Sequence, residues 1–317
     1  MSGRRIEIVE VGPRDGLQYE AAVLPVETRL EFIRRLEAAG ARRIEVASFV
    51  NPKHVPQMAG AEEIMAALPH EEGRSRIGLV LNLKGWDRAV EAECDEVNVS
   101  VAATDGFGLK NQGMAVCDQM QMLADIAERA HNMRGAGQGG PSLSAVISVV
   151  WGCPFDGEVS EGQVAAMVRD IAALGYKEIG LADTIGVGDP WTVRRRIEAA
   201  KAAAPDATLR LHFHDTRNTG LANAYAAVEA GVSVLDASCG GLGGCPFAPD
   251  ATGNIGTEDL VYMLERSGFE TGYDLDGLIG TAQWIAGEVG HAPTSAVARA
   301  GGFPRPRPTS GNGEAAA

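Results

Sequence analysis

The chain lacks the features that would place it in a membrane, in an oxidising compartment or on nucleic acid. Its 317 residues contain no apolar run long enough to span a bilayer, and the first residues, MSGRR, do not resemble a signal peptide. The five cysteines are scattered without a CxxC pair, which favours a reduced, cytoplasmic protein over a disulfide framework. A formal net charge of −14 argues against nucleic acid as the main partner, although a local arginine can still hold a small anion.

The sequence does contain a regular alternation of strand and helix patterns. Apolar, β-branched segments predict strands at 6–12, 43–49, 76–81, 96–102, 143–151, 178–183, 209–215 and 232–238. Helical periodicity occurs at 26–39, 60–68, 84–94, 114–133, 161–174, 190–204, 219–230, 257–267 and 276–289. This α/β pattern predicts a (β/α)8 TIM barrel with extra C-terminal helices, formed by one domain over 1–300 with a disordered tail over 301–317. A doubly wound open sheet is the alternative, but no GxGxxG follows the first strand.

The most informative motif is His-Phe-His at the end of the seventh predicted strand. Because alternate strand residues face the same side, His212 and His214 should point together. Functional residues of a TIM barrel lie at the carboxyl ends of strands, where Asp15 follows strand one and Asn254 follows strand eight. Strand eight neighbours strand one in a closed barrel, so these four side chains can converge.

This set of one carboxylate, two imidazoles and one amide oxygen suits Mg²⁺ or Mn²⁺. It contains no thiolate, which argues against a structural zinc site. The alternatives are two core histidines at 212 and 214, a turn residue at Asp15 and an ordinary left-handed loop residue at Asn254.

Several longer segments carry a family resemblance. They are EVGPRDGLQ at 10–18, EVASFVNPK at 45–53, VPQM at 55–58, NLKG at 82–85, GCPF at 152–155, DTIGVG at 183–188 and GLGGCPF at 241–247. Together with GN at 253–254 and EDLVYML at 258–264, they resemble 3-hydroxy-3-methylglutaryl-CoA lyase, a family of DRE-TIM metallolyases. The likeness covers about residues 5 to 290.

This resemblance implies a reaction and its partners. Family members use a divalent metal, Mg²⁺ or Mn²⁺, to cleave an acyl-CoA substrate, so we expect cleavage of 3-hydroxy-3-methylglutaryl-CoA or a close 3-hydroxyacyl-CoA. The products would be acetyl-CoA and acetoacetate or the matching keto acid. We expect no nucleic-acid or membrane partner, because of the net charge and the lack of a long apolar run. The resemblance also implies a homodimer, for which the helix at 276–289 is a candidate contact.

Roles for individual residues also follow from the resemblance. The metal ligands would be Asp15, His212, His214 and Asn254, the catalytic residues Arg14, Glu45, Asp183, His212 and Cys245, and the substrate-binding residues Arg14 and Gln18. Arg14 would contact substrate oxygens while Glu45 holds it, and Cys245 would act from a glycine-rich loop. Asp183 would support the metal as an acid group. From the residues alone, Arg14 could be a surface charge, Glu45 part of a structural ion pair, Asp183 a turn cap and Cys245 an inert apolar residue.

Departures from the family pattern concern the substrate. Tyr19 stands where the family usually has asparagine, and Ala21 where a basic residue is common. Arg217, in a less common form of the loop after His214, is a candidate replacement for an anion contact. Other functions remain open: a condensing synthase, a metal-dependent aldolase for free hydroxy-oxo acids, and a non-catalytic scaffold. Dependence on a thioester would separate the aldolase from the lyase.

Overall fold

Eight parallel strands close into a barrel, as the alternation of patterns predicts. The computed structural model describes residues 3–245 and 248–304, with side chains except at 245 and 248–251. The strands are β1 Glu7–Glu10, β2 Arg43–Ser48, β3 Ser75–Val80, β4 Glu96–Ala102, β5 Ser142–Ser148, β6 Glu178–Asp183, β7 Thr208–Phe213 and β8 Val234–Ala237. They pair in chain order, and β8 closes the barrel on β1 with Glu10 opposite Ala237. The TIM-barrel prediction is therefore confirmed, and the open sheet is excluded.

Helices cover the outside of the barrel. They are α1 Val26–Ala38, α2 Ala61–Ala66, α3 Leu83–Glu91, α4 Asp105–Gln112, α5 Val116–Gly135, α6 Glu161–Ala173, α7 Pro190–Ala203, α8 Gly220–Glu229, α9 Thr257–Arg266, α10 Leu275–Val289 and α11 Ala296–Ala300. Their ends follow local chemistry: Asp189 caps the first turn of α7, which Pro190 begins, and α1 stops before Gly40, where φ is +104°. None of the helices within residues 3–245 and 248–304 is long and apolar enough to cross a membrane.

Some predicted boundaries were wrong. The first strand ends at Glu10 rather than 12, because a π-helical turn spans Gly12–Gly16. Helices α4 and α11 were not predicted, and a short antiparallel pair, β9 Gly244–Cys245 and β10 Ala248–Thr252, follows β8. Most of the predicted disordered tail, residues 305–317, lies outside the residues that the structure describes.

The barrel contains both a large hydrophobic core and a network of buried charged side chains. The large hydrophobic core lies between strands and helices and includes Phe32, Leu211 and Phe213. Charged side chains cross the barrel interior instead: Arg43 of β2 donates to Glu178 of β6, four strands away, at 2.7 Å. A polar interior can hold chemical groups in fixed positions, and it leads towards the carboxyl ends of the strands.

Candidate metal centre and substrate cavity

The turn after β1 presents two adjacent charged residues to the barrel mouth. Arg14 and Asp15 occupy the middle of the π-helical turn, and both are buried. The turn is held from below by Glu10, whose Oε1 accepts the Gly12 N–H at 2.8 Å. A side chain at Gly12 would collide with that carboxylate, since its Cβ would lie 2.7 Å from Oε1. The glycine therefore permits the tight bend that aims Asp15 inwards.

The end of β7 and the returning chain after β8 meet beside this turn. His212 lies in β7, and His214 forms an isolated bridge with Asn254. The Ile255 N–H donates to the Phe213 carbonyl at 3.2 Å, which sets Asn254 alongside the strand end. The predicted common orientation of the two imidazoles is confirmed, because their ring centroids are 5.0 Å apart and both rings approach Asp15.

Three of the four predicted metal ligands form one cluster. Nε2 of His212 and Nε2 of His214 each lie 3.9 Å from Oδ2 of Asp15, and the ligand atoms of the three residues lie within 4.8 Å of one another. Ligand atoms about 2.1 Å from a single ion lie about 3 to 4 Å apart, so the donor set fits one divalent cation. The Nδ1 of His214, which is not the nitrogen that approaches Asp15, is buried without a hydrogen-bond partner among the described residues.

Asn254 reaches the same cluster through its amide. As placed, Nδ2 donates to Oδ2 of Asp15 at 2.8 Å and to the Leu242 carbonyl at 3.2 Å. A half-turn of the terminal amide exchanges nitrogen and oxygen and would offer Oδ1, the atom that a cation requires. Its predicted role as fourth ligand stays a prediction.

The electrostatics of the cluster give its members different charge states. Burial by itself would raise the pKa of Asp15, but Arg14, the two histidines and the hydrogen bond from Asn254 together outweigh burial and hold the pKa below its ordinary value. Burial, assisted by the neighbouring His212, lowers the pKa of His214 to about 3, so this ring is neutral at pH 7. Burial also opposes a charge on His212, yet its hydrogen bond to Asp236 raises the pKa of that ring. A carboxylate and a neutral imidazole are thus already in the form that binds metal ions.

Arg14 is held by two carboxylates. Its Nε and Nη2 donate to Oε2 of Glu45 at 2.7 and 2.5 Å, and its Nη1 donates to Oδ1 of Asp15 at 2.5 Å. Oε1 of Glu45 accepts from Asn98 on β4 at 3.1 Å. This buried network fixes the plane of the guanidinium beside the cluster.

Asp236 of β8 is a site residue that the sequence interpretation missed. Oδ2 of Asp236 lies 3.2 Å from Nδ1 of His212, and its Oδ1 lies 3.5 Å from Nε of Arg210. Burial would raise the pKa of Asp236, but the charge of Arg210 and the hydrogen bond of His212 lower it. The signal in the sequence was one acid inside an apolar strand, since such a charge needs a buried partner.

A cavity of about 160 Å³ opens directly in front of the cluster. Arg14, Asp15, His212 and His214 line its polar end, together with Gln18 and Tyr19. Its apolar side is formed by Val50, Val55, Leu79, Leu81, Phe107 and Val146. Helix α4 supplies Phe107, so part of the cavity comes from an element whose short, glycine-containing sequence has no amphipathic pattern.

The remaining predicted residues do not line this cavity, or their side chains are not among those that the structure describes. Both oxygens of Asp183 accept backbone N–H groups, from Val187 and Gly188, each at 2.9 Å, and the side chain does not line the cavity. Arg217 donates to the carbonyl of Ile185 at 2.7 Å and joins two loops. The side chain of Cys245 lies outside the described residues. The roles predicted for these three stay predictions.

The fold and this cluster define a (β/α)8 barrel with a possible divalent-metal site at the carboxyl ends of its strands. The sequence model of the HMGL-like family matches residues 5–285, and the chain belongs to that metal-dependent family. The predicted resemblance to hydroxymethylglutaryl-CoA lyases is therefore confirmed.

Known relatives match nearly the whole chain. A 3-hydroxy-3-isohexenylglutaryl-CoA/hydroxymethylglutaryl-CoA lyase of Pseudomonas aeruginosa is 40% identical, over 94% of this chain and 97% of its own. An (R)-citramalyl-CoA lyase of Chloroflexus aurantiacus is 41% identical, over 93% and 95%. A solved HMG-CoA lyase of Acinetobacter baumannii, in complex with coenzyme A and 3-methylmalate, is 38% identical with a TM-score of 0.87, over 95% of this chain and 98% of that one.

Proposed function

We propose that the protein is a divalent-metal-dependent lyase that cleaves 3-hydroxy-3-methylglutaryl-CoA, or a close 3-hydroxyacyl-CoA, to acetyl-CoA and acetoacetate or the matching keto acid. The observation that carries the proposal is the convergence of Asp15, His212 and His214 on one cavity, beside Arg14, in a member of the HMGL-like family. Mg²⁺ or Mn²⁺ is the proposed ion, because the donors are oxygen and imidazole nitrogen.

Cleavage between C2 and C3 requires the hydroxyl on C3 to lose its proton. A divalent ion at the cluster would supply Lewis acidity that lowers the pKa of that hydroxyl. The candidate bases are His212, Asp15 and Asp183. Asp15 is a weak base because its pKa is lowered, and both oxygens of Asp183 already accept hydrogen bonds. The pKa of His212 is raised by its hydrogen bond to Asp236 and by Asp15, against burial, but Nδ1 contacts Asp236, so Nε2 cannot be ligand and base at once.

Arg14 is placed to stabilise the charge that develops on the thioester oxygen. A guanidinium carries five N–H groups. Three of them donate to Glu45 and Asp15, which leaves two for a substrate oxygen. A fixed cation at a developing enolate favours the transition state over the bound substrate. Glu45 acts through Arg14, since it sets the direction of those two N–H groups.

Cys245 is the proposed acid that completes the reaction. When the C2–C3 bond breaks, its electron pair forms the enolate of acetyl-CoA, and C2 must then take a proton. A thiol on a glycine-rich loop can deliver that proton and exclude water as the loop closes. The backbone of Cys245 lies in β9, directly after the glycines of this loop.

A second candidate substrate is (R)-citramalyl-CoA. The observation in its favour is the 41% identity to a lyase named for that compound. The identities to two lyases named for hydroxymethylglutaryl-CoA are 40% and 39%, so sequence identity does not separate the two substrates. Tyr19 lines the cavity where the family usually has asparagine, so the cavity differs from the family pattern at this position. A condensing synthase or a free-acid aldolase is not favoured, since these relatives are named as acyl-CoA lyases.

The decisive experiment measures acetyl-CoA release after chelation and after Mg²⁺ or Mn²⁺ is added back. The panel is 3-hydroxy-3-methylglutaryl-CoA, (R)-citramalyl-CoA, longer branched analogues and the free acid without CoA. His214→Ala should abolish turnover, whereas His70→Ala is the matched control, because His70 is exposed and pairs with Asp95 away from the cavity. Turnover that is insensitive to chelator, or none on any thioester, would refute the proposal.

Assembly and cellular role are proposed from the resemblance. We propose a homodimer in the cytoplasm, and a place in leucine degradation or ketone-body formation. Helix α10 buries Leu278, Ala282 and Ile285 within its own chain, so a subunit contact through α10 would have to use its other side. Sedimentation of the purified protein would test the dimer.

A further inference from the structure

A buried acid lies directly behind one candidate metal ligand. Asp236 is 5% exposed, and its Oδ2 lies 3.2 Å from Nδ1 of His212. The two residues follow Leu235 and Leu211, which are partners in the parallel pairing of β7 and β8. The contact is therefore set by the register of two strands rather than by a movable loop.

This contact determines which nitrogen of His212 faces the cavity. A carboxylate only accepts hydrogen bonds, so the 3.2 Å contact is favourable when Nδ1 carries the hydrogen. The neutral ring then has its lone pair on Nε2, the atom 3.9 Å from Oδ2 of Asp15. His214 differs, because its Nδ1 has no hydrogen-bond partner among the described residues. Only one of the two rings has a carboxylate behind it.

The carboxylate of Asp236 is itself held in place from the barrel interior. Its Oδ1 lies 3.5 Å from Nε of Arg210, whose side chain is 2% exposed. Arg210 in turn lies between Glu178 at 3.4 Å and Glu96 at 3.8 Å. The Arg210 pair is an ion pair without a hydrogen bond between these two atoms, and separating buried opposite charges would oppose rotation of Asp236 away from His212.

We propose that Asp236 is a positioning residue for the metal centre: it accepts the Nδ1 hydrogen of His212 and so directs the Nε2 lone pair at the ion, while Arg210 holds its carboxylate. Such a carboxylate behind a ligating histidine fixes the ring and its tautomer, and its loss typically costs about ten- to a hundredfold in metal affinity. The inference rests on the proposed metal site but not on the identity of the acyl-CoA. If Nε2 binds the ion, the proton of the substrate hydroxyl must go to a group other than His212.

The test titrates the metal-free protein with Mn²⁺ and measures the bound ion by electron paramagnetic resonance. Asp236→Asn keeps the shape of the side chain, but its amide can donate to Nδ1 and so favour the tautomer with hydrogen on Nε2. We expect its Kd for Mn²⁺ to rise about ten- to a hundredfold. Asp236→Ala should weaken binding less, because it leaves both tautomers accessible. Asp95→Asn is the control, since Asp95 accepts the Arg76 N–H away from the cavity and its loss should leave the Kd unchanged.

A second background shows whether Asp236 acts through His212. In a protein that carries His212→Ala, the further change Asp236→Asn should leave the Kd unchanged, because there is no ring to orient. Melting temperatures of all metal-free variants separate misfolding from weak binding. Wild-type affinity in both Asp236 variants, or the same weakening with and without His212, would overturn the proposal. Failure of the wild type to release acetyl-CoA while Asp236→Asn still weakens Mn²⁺ binding would refute the proposed reaction and leave the positioning role supported.

Discussion

Replacing Arg14 by methionine separates a catalytic contribution from a structural one. Methionine fills much the same volume but removes every N–H donor and the charge. In the structure those donors bond Glu45 and Asp15, and the Arg14 side chain is only 10% exposed. The variant would lose the proposed contact with the substrate, and it leaves two acids without their cation.

The two losses have different magnitudes. Removal of one preorganised donor from a developing oxyanion typically lowers kcat about 10²- to 10³-fold, or about 3 to 4 kcal/mol. Breaking a buried ion pair typically destabilises a protein by about 3 to 5 kcal/mol, because the remaining charge is unpaired. Glu45 is 2% exposed and would keep only its hydrogen bond from Asn98. Arg14→Met should therefore have both a lower kcat and a lower free energy of unfolding than the wild type.

A double variant distinguishes these effects. Adding Glu45→Gln to Arg14→Met removes one unpaired charge, so much of the free energy of unfolding should return while kcat stays low. The assays are acetyl-CoA release at saturating metal ion and urea unfolding. Arg129→Met is the control, since its ion pair with Asp87 is exposed and worth less than about 1 kcal/mol. Recovery of kcat in the double variant, or an unchanged kcat in Arg14→Met, would refute a direct role for the guanidinium.

Three further outcomes are expected. Gly243→Ala should weaken Mn²⁺ binding more than Gly73→Ala, because both glycines have positive φ but only the Cβ at 243 would collide, 2.8 Å from Nδ2 of Asn254; equal binding by the two variants would contradict this. Burial raises the pKa of Glu10 from 4.5 to about 8, so its protonated form stabilises the fold below pH 4.5, and the free energy of unfolding should fall as the pH rises towards 8. The fall due to this group is at most about 1.4 kcal/mol per pH unit. The free energy of unfolding, measured with urea across this pH range, should not show this fall in Glu10→Gln. The same pH dependence in the variant and the wild type would contradict the reasoning. Cys245→Ala should bind Mn²⁺ normally yet release acetyl-CoA slowly, and wild-type turnover would exclude the thiol as the acid.

Much of the candidate site could be predicted because barrel geometry converts sequence position into spatial position. The two-residue spacing of His212 and His214 indicated a shared direction, and closure of β8 on β1 brought the Asp15 turn near Asn254. These inferences needed only strand periodicity and the order of strands. The roles of Cys245 and Gln18 came from family resemblance alone, since nothing in their local pattern indicates chemistry.

Other features depended on contacts between residues distant in the chain. Asp183 and Asp236 look alike in the sequence, because each is an acid that directly follows apolar residues of a strand. In the structure Asp183 accepts two N–H groups of its own loop, whereas Asp236 contacts His212 on the neighbouring strand. Side-chain direction at the strand end decides between these outcomes, and the local pattern carries no information on it.

The sequence by itself determined the barrel, the family and the cluster of candidate metal ligands, because strand and helix periods and long motifs are local properties of the chain. Only the tertiary structure decided the opposite pKa shifts of His212 and His214, the direction of the Arg14 donors and the position of Asp236 beside the candidate metal site. Those properties depend on burial and on partners contributed by other strands. Burial and electrostatic fields are sums over the folded molecule, and they exist only once the barrel has closed.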